Sequence, residues 1–176
     1  TSFYLDLAIV TGFDQAGEDG MESGAVFLDF GNNDVWDAAI RTVGDDEGGV
    51  YTGSGTWWTD PYYSIYNSSS PYDVDLSEAT QVGTADFEYV NDAWSNGDHN
   101  VYEMSMNVDA WISTIILEGF TAHYTIECGN DLLELTYDYN PDDPWEPRDP
   151  PVPEPATFML LGLGIGAGML RRKFSA

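Results

Sequence analysis

The stretch FTAHYTIECGNDLLELTYDY, residues 120–139, alternates in twos. Phe120, Ala122, Tyr124 and Ile126 fall on one side, and Thr121, His123, Thr125 and Glu127 on the other. After the tetrapeptide 128–131 the alternation resumes, with Leu133, Leu135, Tyr137 and Tyr139 set against Glu134, Thr136 and Asp138. A period of two marks a half-buried strand, because successive side chains leave a pleated backbone on opposite faces. Gly129 and Asn130 suit the positive φ of a tight turn, so the stretch predicts a β-hairpin with His123 facing outward.

The same period recurs toward the N-terminus, where Phe3, Leu5, Leu7 and Ile9 oppose Tyr4, Asp6 and Ala8. Further strands are expected at 25–30, 49–59, 62–66, 83–89, 101–108 and 112–117, and one short helix at 34–41. Closely spaced strands parted by Gly, Asn, Asp, Ser and Pro predict an all-β chain. The expected form is an antiparallel β-sandwich of about eight or nine strands, jelly-roll or immunoglobulin-like, followed by a C-terminal hydrophobic helix.

Charge narrows the function classes. The sequence has 31 Asp and Glu against 5 Lys and Arg. Three of the bases and only one of the acids follow residue 151, which leaves 30 acids against Arg41 and Arg148, a formal −28 for residues 1–151. Such a surface repels nucleic acid and anionic headgroups, and it repels itself. Nucleic acid is excluded as a partner. An acidic exterior suits high salt, divalent cations or solubility outside the cell. The single cysteine, Cys128, excludes an intrachain disulfide framework, so packing must hold the fold.

Residues 152–176 read VPEPATFMLLGLGIGAGMLRRKFSA. The triplet Pro153, Glu154 and Pro155 is followed by fifteen uncharged residues, 156–170, and then by Arg171, Arg172 and Lys173. That order resembles the PEP-CTERM sorting signal of bacterial exported proteins. The resemblance implies an exosortase partner that cleaves near the triplet. It also implies an inner-membrane intermediate and delivery to the cell surface or extracellular matrix of a Gram-negative-type bacterium. Physical reasoning runs parallel: fifteen residues make a helix of about 22 Å, short of the roughly 30 Å hydrocarbon core, so the span is marginal. Basic residues beside a membrane segment stay on the cytoplasmic side, which puts residues 1–150 outside. Gly162 with Gly166 and Gly164 with Gly168 permit close helix contact in lipid.

The chain then divides into an acidic ectodomain at 1–139, a Pro/Asp-rich spacer at 140–152, and a sorting signal and transmembrane segment at 153–176. Thr1, with no leader before it, is expected to follow a removed export signal. A second resemblance lies in the hairpin itself. His123, Thr125, Cys128, Gly129, Asn130 and Asp131 resemble a His-x-Thr-x-x-Cys-Gly-Asn-Asp pattern seen before the signal in exosortase-dependent surface proteins, and it implies no chemistry.

No nucleophile elbow backs a Ser-His-Asp reading, and two histidines, His99 and His123, give a metal hydrolase too few nitrogen ligands, so no enzyme is expected. Calcium is the candidate cofactor, because hard cations take several oxygens from one turn. Asp14, Glu18, Asp19 and Glu22 crowd one loop, and Asp45, Asp46 and Glu47 sit between Gly44 and Gly48. The aromatic cluster Trp57, Trp58, Tyr62, Tyr63, Tyr66 and Tyr72 is the candidate carbohydrate platform, since flat rings pack on the apolar faces of sugars. Alternation sends Trp57 and Trp58 to opposite faces, one into the core. The strand-forming segment 2–10 is the candidate for self-assembly into a filament or surface layer. Extracellular polysaccharide and the chain itself are thus the remaining partners.

Overall fold

The computed structural model describes residues 2–12, 15, 22–61, 69–91, 99–129 and 132–138. They belong to one compact unit, Thr1–Tyr139. Among the described residues the strands are β1 (Tyr4–Thr11), β2 (Ser23–Phe30), β3 (Ala38–Ile40), β4 (Gly49–Thr52), β5 (Trp58–Thr59), β6 (Asp73–Val74), β7 (Thr80–Thr84), β8 (Asp86–Val90), β9 (Asn100–Asn107), β10 (Phe120–Ile126) and β11 (Leu132–Tyr137), with one helix, α1 (Ile112–Glu118). Three strands in the order β1-β9-β8 form one sheet and six in the order β11-β10-β2-β3-β4-β7 form another. The pair β5-β6 stands apart. All pairings are antiparallel. The fold is the all-β sandwich that the alternation predicts.

The sandwich core lies between the two larger sheets. Val26, Leu28 and Phe30 of β2 meet Tyr102, Met104 and Met106 of β9, with Phe120, Ala122, Tyr124 and Ile126 of β10 alongside, all buried. The opposite face of β2 is covered too. Ala25, Phe27, Ala39, Tyr51, Trp57 and Val74 make a second cluster under the β5-β6 layer. A strand buried on both faces reads as a continuous apolar run, and all eight residues of β2 are buried.

One lateral side of the sandwich is closed and the other is open. Only Ala85 separates β7 of one sheet from β8 of the other, and its amide donates to Gly48 O at 2.8 Å. At the far side the edges are β1 and β11, which no strand joins among the described residues.

Four expected elements are corrected. Residues 112–117 form α1 rather than a strand: Trp111, Ile112 and Ile115 pack on the core at helical spacing, and Gly119, at φ 83°, ends the helix with its amide on Ile115 O. Tertiary contact overrides the strand propensity of the isoleucines here. Residues 34–41 form no helix, because Asp29 accepts from the amides of Asn33 and Asp34, and Asp37 accepts from the amide of Phe30. These side chain–backbone bonds hold a turn that delivers β3 to β2. The expected strands 49–59 and 83–89 each break in two, at the 53–57 turn and at Ala85. Expected strand 62–66 and the C-terminal helix lie outside the described residues.

Candidate functional site

Arg41 follows β3 and is the one Lys or Arg among the described residues. Its Nε and Nη2 donate to the two carboxylate oxygens of Asp73 at 3.2 and 2.9 Å, and its Nη1 donates to Asp46. Asp46 also accepts from the Tyr51 hydroxyl. Burial opposes the guanidinium charge, but the bonds to Asp73 and the nearby Asp46 outweigh it and raise its pKa. Burial and the Asp46 bond push the Tyr51 hydroxyl up to about 12. Asp46, a candidate calcium ligand, is thus engaged by a cation and a phenol. Glu47 accepts from Gln15 Nε2 at 2.8 Å, and Asp45 is exposed. Asp14, Glu18 and Asp19 lie outside the described residues, among which no three His, Cys, Asp or Glu gather as a metal would require.

His123 does not face solvent. It is 1% exposed, on the outer face of β10 beneath the second layer. Its Nε2 donates to Pro71 O at 3.1 Å, and its ring lies 5.4 Å from that of Trp36. Burial is the main force on it and lowers its pKa, holding the ring neutral. Glu134 Oε2 stands 3.8 Å from Nδ1, beyond hydrogen-bond reach. Nearby, the Ser69 hydroxyl donates to Gly129 O at 2.8 Å, and the Ala25 amide to Tyr72 O at 2.9 Å. The described part of the His-x-Thr-x-x-Cys-Gly hairpin therefore fastens segment 69–72 to the six-stranded sheet. Cys128 is half-buried against the sandwich core.

Of the candidate sugar platform, Trp57 is 1% exposed and packs on Phe27 at 5.7 Å, so it offers no face to a ligand. Trp58 is half-buried and meets Trp57 edge-on at 6.0 Å. Tyr62, Tyr63 and Tyr66 lie outside the described residues, and Tyr72 is half-buried.

Two surface features were not read from sequence because only register creates them. On the exposed face of the three-stranded sheet, Asp6 and Asp86 flank Ser105, and Glu88 lies directly opposite Glu103. These acids line a groove of about 380 Å³. Like charges facing across a strand pair are unfavourable. A second groove, about 290 Å³, runs along the open side between β1 and β11, lined by Leu7, Ile9, Tyr124, Leu133 and Leu135 among others.

Among the described residues no helix is long and apolar enough to cross a membrane. The triplet Pro153, Glu154, Pro155 and the basic cluster Arg171, Arg172, Lys173 lie outside them. Comparison with curated proteins and with solved structures gives no match. Residues 151–173 match the family model of the PEP-CTERM protein-sorting motif, so the chain carries at its C-terminus the signal for exosortase-dependent sorting of an exported surface protein.

Proposed function

We propose that residues 1–139 are the non-catalytic exterior module of a surface or extracellular-matrix protein of a Gram-negative-type bacterium. The matched motif at 151–173 carries the reading. Composition supports it from the other end, since 30 acids against two bases over residues 1–151 suit a solvated exterior that shuns nucleic acid and anionic lipid. The exosortase holds the chain at the membrane by its tail, cleaves near Pro153 and releases the ectodomain outward. Intact mass of protein recovered from the surface fraction of the native host tests this. The expected chain ends near residue 153, and one that still carries Ala176 overturns the cleavage.

Calcium on the loop that includes Asp45, and sugar on Trp58 with its neighbours, are secondary ligand proposals. Strand donation into a neighbour is not favoured, because β1 pairs with β9 of its own domain over eight residues.

A further inference from the structure

We propose that the free edge of β1 binds an extended segment of a basic partner protein, one in which apolar residues alternate with lysine or arginine. The three-stranded sheet stops one strand short of the sheet it packs on. Leu133 and Leu135 lie opposite Tyr124 and Ala122, on the core-facing side of β11, yet they are 44% and 57% exposed. They line the groove together with Leu7 and Ile9, and β1 is the last strand of its sheet among the described residues. Apolar surface gathered in one place marks an interaction site, and one more strand beside β1 would lie beneath these leucines and bury them.

The backbone of β1 suits that addition. Its ladder to β9 runs eight residues without a bulge, and it holds no proline. Val108 donates its amide to Phe3 O at 3.0 Å, which sets the phase of the ladder. In an antiparallel pair alternate residues turn both peptide groups to the same neighbour, so Leu5, Leu7 and Ile9 address β9. Tyr4, Asp6, Ala8 and Val10 present their N–H and C=O outward, where an extended segment can take them up.

The two faces of the edge select what joins it. On one face Leu5, Leu7 and Ile9 lead into the groove, so every second residue of the incoming segment must be apolar. On the other face the segment extends the surface where Asp6 and Asp86 flank Ser105 and Glu88 lies opposite Glu103. Arg41, the one Lys or Arg among the described residues, is held by Asp46 and Asp73, so these acids have no fixed counter-charge among the described residues. A base at the remaining positions lands one strand from Asp6, about 5 Å, and two strands from Glu103, about 10 Å, and relieves the like charges that face each other there. A segment that carries acids meets repulsion at the same places. A second copy of this chain, with 30 acids against two bases over residues 1–151, is disfavoured on that ground. The required alternation is the same whichever way the segment runs, because residues paired across two strands share a face.

Fluorescence anisotropy of dye-labelled peptides tests this on the full chain in non-ionic detergent, with micelles alone as baseline, at about 0.15 M salt, where the Debye length is about 8 Å. The probe is the amidated peptide Lys-Val-Lys-Val-Lys-Val-Lys. Its control, Lys-Lys-Val-Val-Val-Lys-Lys, has the same composition and charge without the alternation. The alternating peptide should bind at least about tenfold more tightly, because only it can bury its valines while its lysines stay on the acidic face. Leu135→Asn leaves the charge unchanged, and Asp6→Asn with Glu103→Gln leaves the groove unchanged; each should weaken binding by about threefold or more. Ala8→Pro removes an outward amide while sparing the β9 ladder, and should weaken binding by about tenfold. Circular dichroism checks the fold of each variant, and the side-chain variants decide the matter if the proline unfolds β1. Failure of the alternating peptide to bind, equal binding of the two peptides, or unchanged binding in Leu135→Asn or in the paired acid variant overturns the proposal. Equal binding would mean that the acidic surface attracts any cation without regard to the edge.

Discussion

The two faces of β2 meet different kinds of environment. Val26, Leu28 and Phe30 enter a sandwich core built from aliphatic and aromatic side chains. Ala25 and Phe27 enter an outer layer that holds Trp57, Tyr51 with its bond to Asp46 of the Arg41–Asp73 cluster, and the neutral ring of His123 against Trp36. The first is held by area removed from water, which has no direction and tolerates rearrangement. The second depends on a few bonds whose loss strands charged or polar atoms. One sheet thus carries a robust face and a conditional one.

The contrast is sharpened by substitutions read through urea unfolding. Leu28→Ala, at a fully buried site, should lower stability by about 3–5 kcal/mol, the range for large core cavities. Arg41→Ala should cost about 2–4 kcal/mol, because Asp46 and Asp73 lose their cation in a mostly enclosed site. Adding Asp73→Asn should then recover part of that loss, whereas no polar second substitution should rescue Leu28→Ala. Equal behaviour of the two sites would remove the distinction.

A smaller effect separates the faces by pH. His123 has a lowered pKa in the folded chain, so the unfolded chain, titrating near about 6.5, binds the proton more readily. Its contribution is fully favourable above that pH and is lost as pH falls below it. Protonation of surface carboxylates acts in the opposite sense by relieving repulsion. The informative quantity is therefore the difference between the native chain and His123→Gln. Stability should fall more steeply below about pH 6.5 in the native chain. Parallel profiles would show that the outer layer opens to water before the ring titrates.

Residues 120–126 and the strand β1 were legible in sequence because both alternate in twos, although only β1 has an open face and β10 is covered on both. The strand β2 was legible as an apolar run, although nothing in the run shows that two layers cover it. His123 misled for that reason: alternation gives sides, and only the later segment 69–72 makes its side an interior. Alternation leaves the side of Trp57 open, and its burial in the cluster with Phe27 and Val74 decides it. Isoleucines at 112, 115 and 116 read as strand because propensity is local, while the gap that α1 fills is not. The calcium and sugar candidates rest on crowding in sequence, which does not show that Asp46 binds Arg41 and Tyr51 or that Trp57 packs on Phe27. The acidic face and the open groove depend on the register of β1, β8, β9 and β11, which no single segment encodes.

The exit of the chain from the domain has a mechanical meaning. Tension arriving from residues beyond 138 reaches Tyr137 first, at the end of a strand with one neighbour. Asn32 sits at that point. Its amide donates to Tyr137 O at 3.3 Å and to Glu118 O at 3.1 Å, and its carbonyl accepts from the Thr121 hydroxyl at 2.8 Å. Gly119 lets the backbones close here, since a side chain there would run into Tyr137 O. A tug on the tail is therefore spread over the β2–β3 turn, the start of β10 and the end of α1 before it can peel β11 away. The side chain works as a cleat for a tethered load.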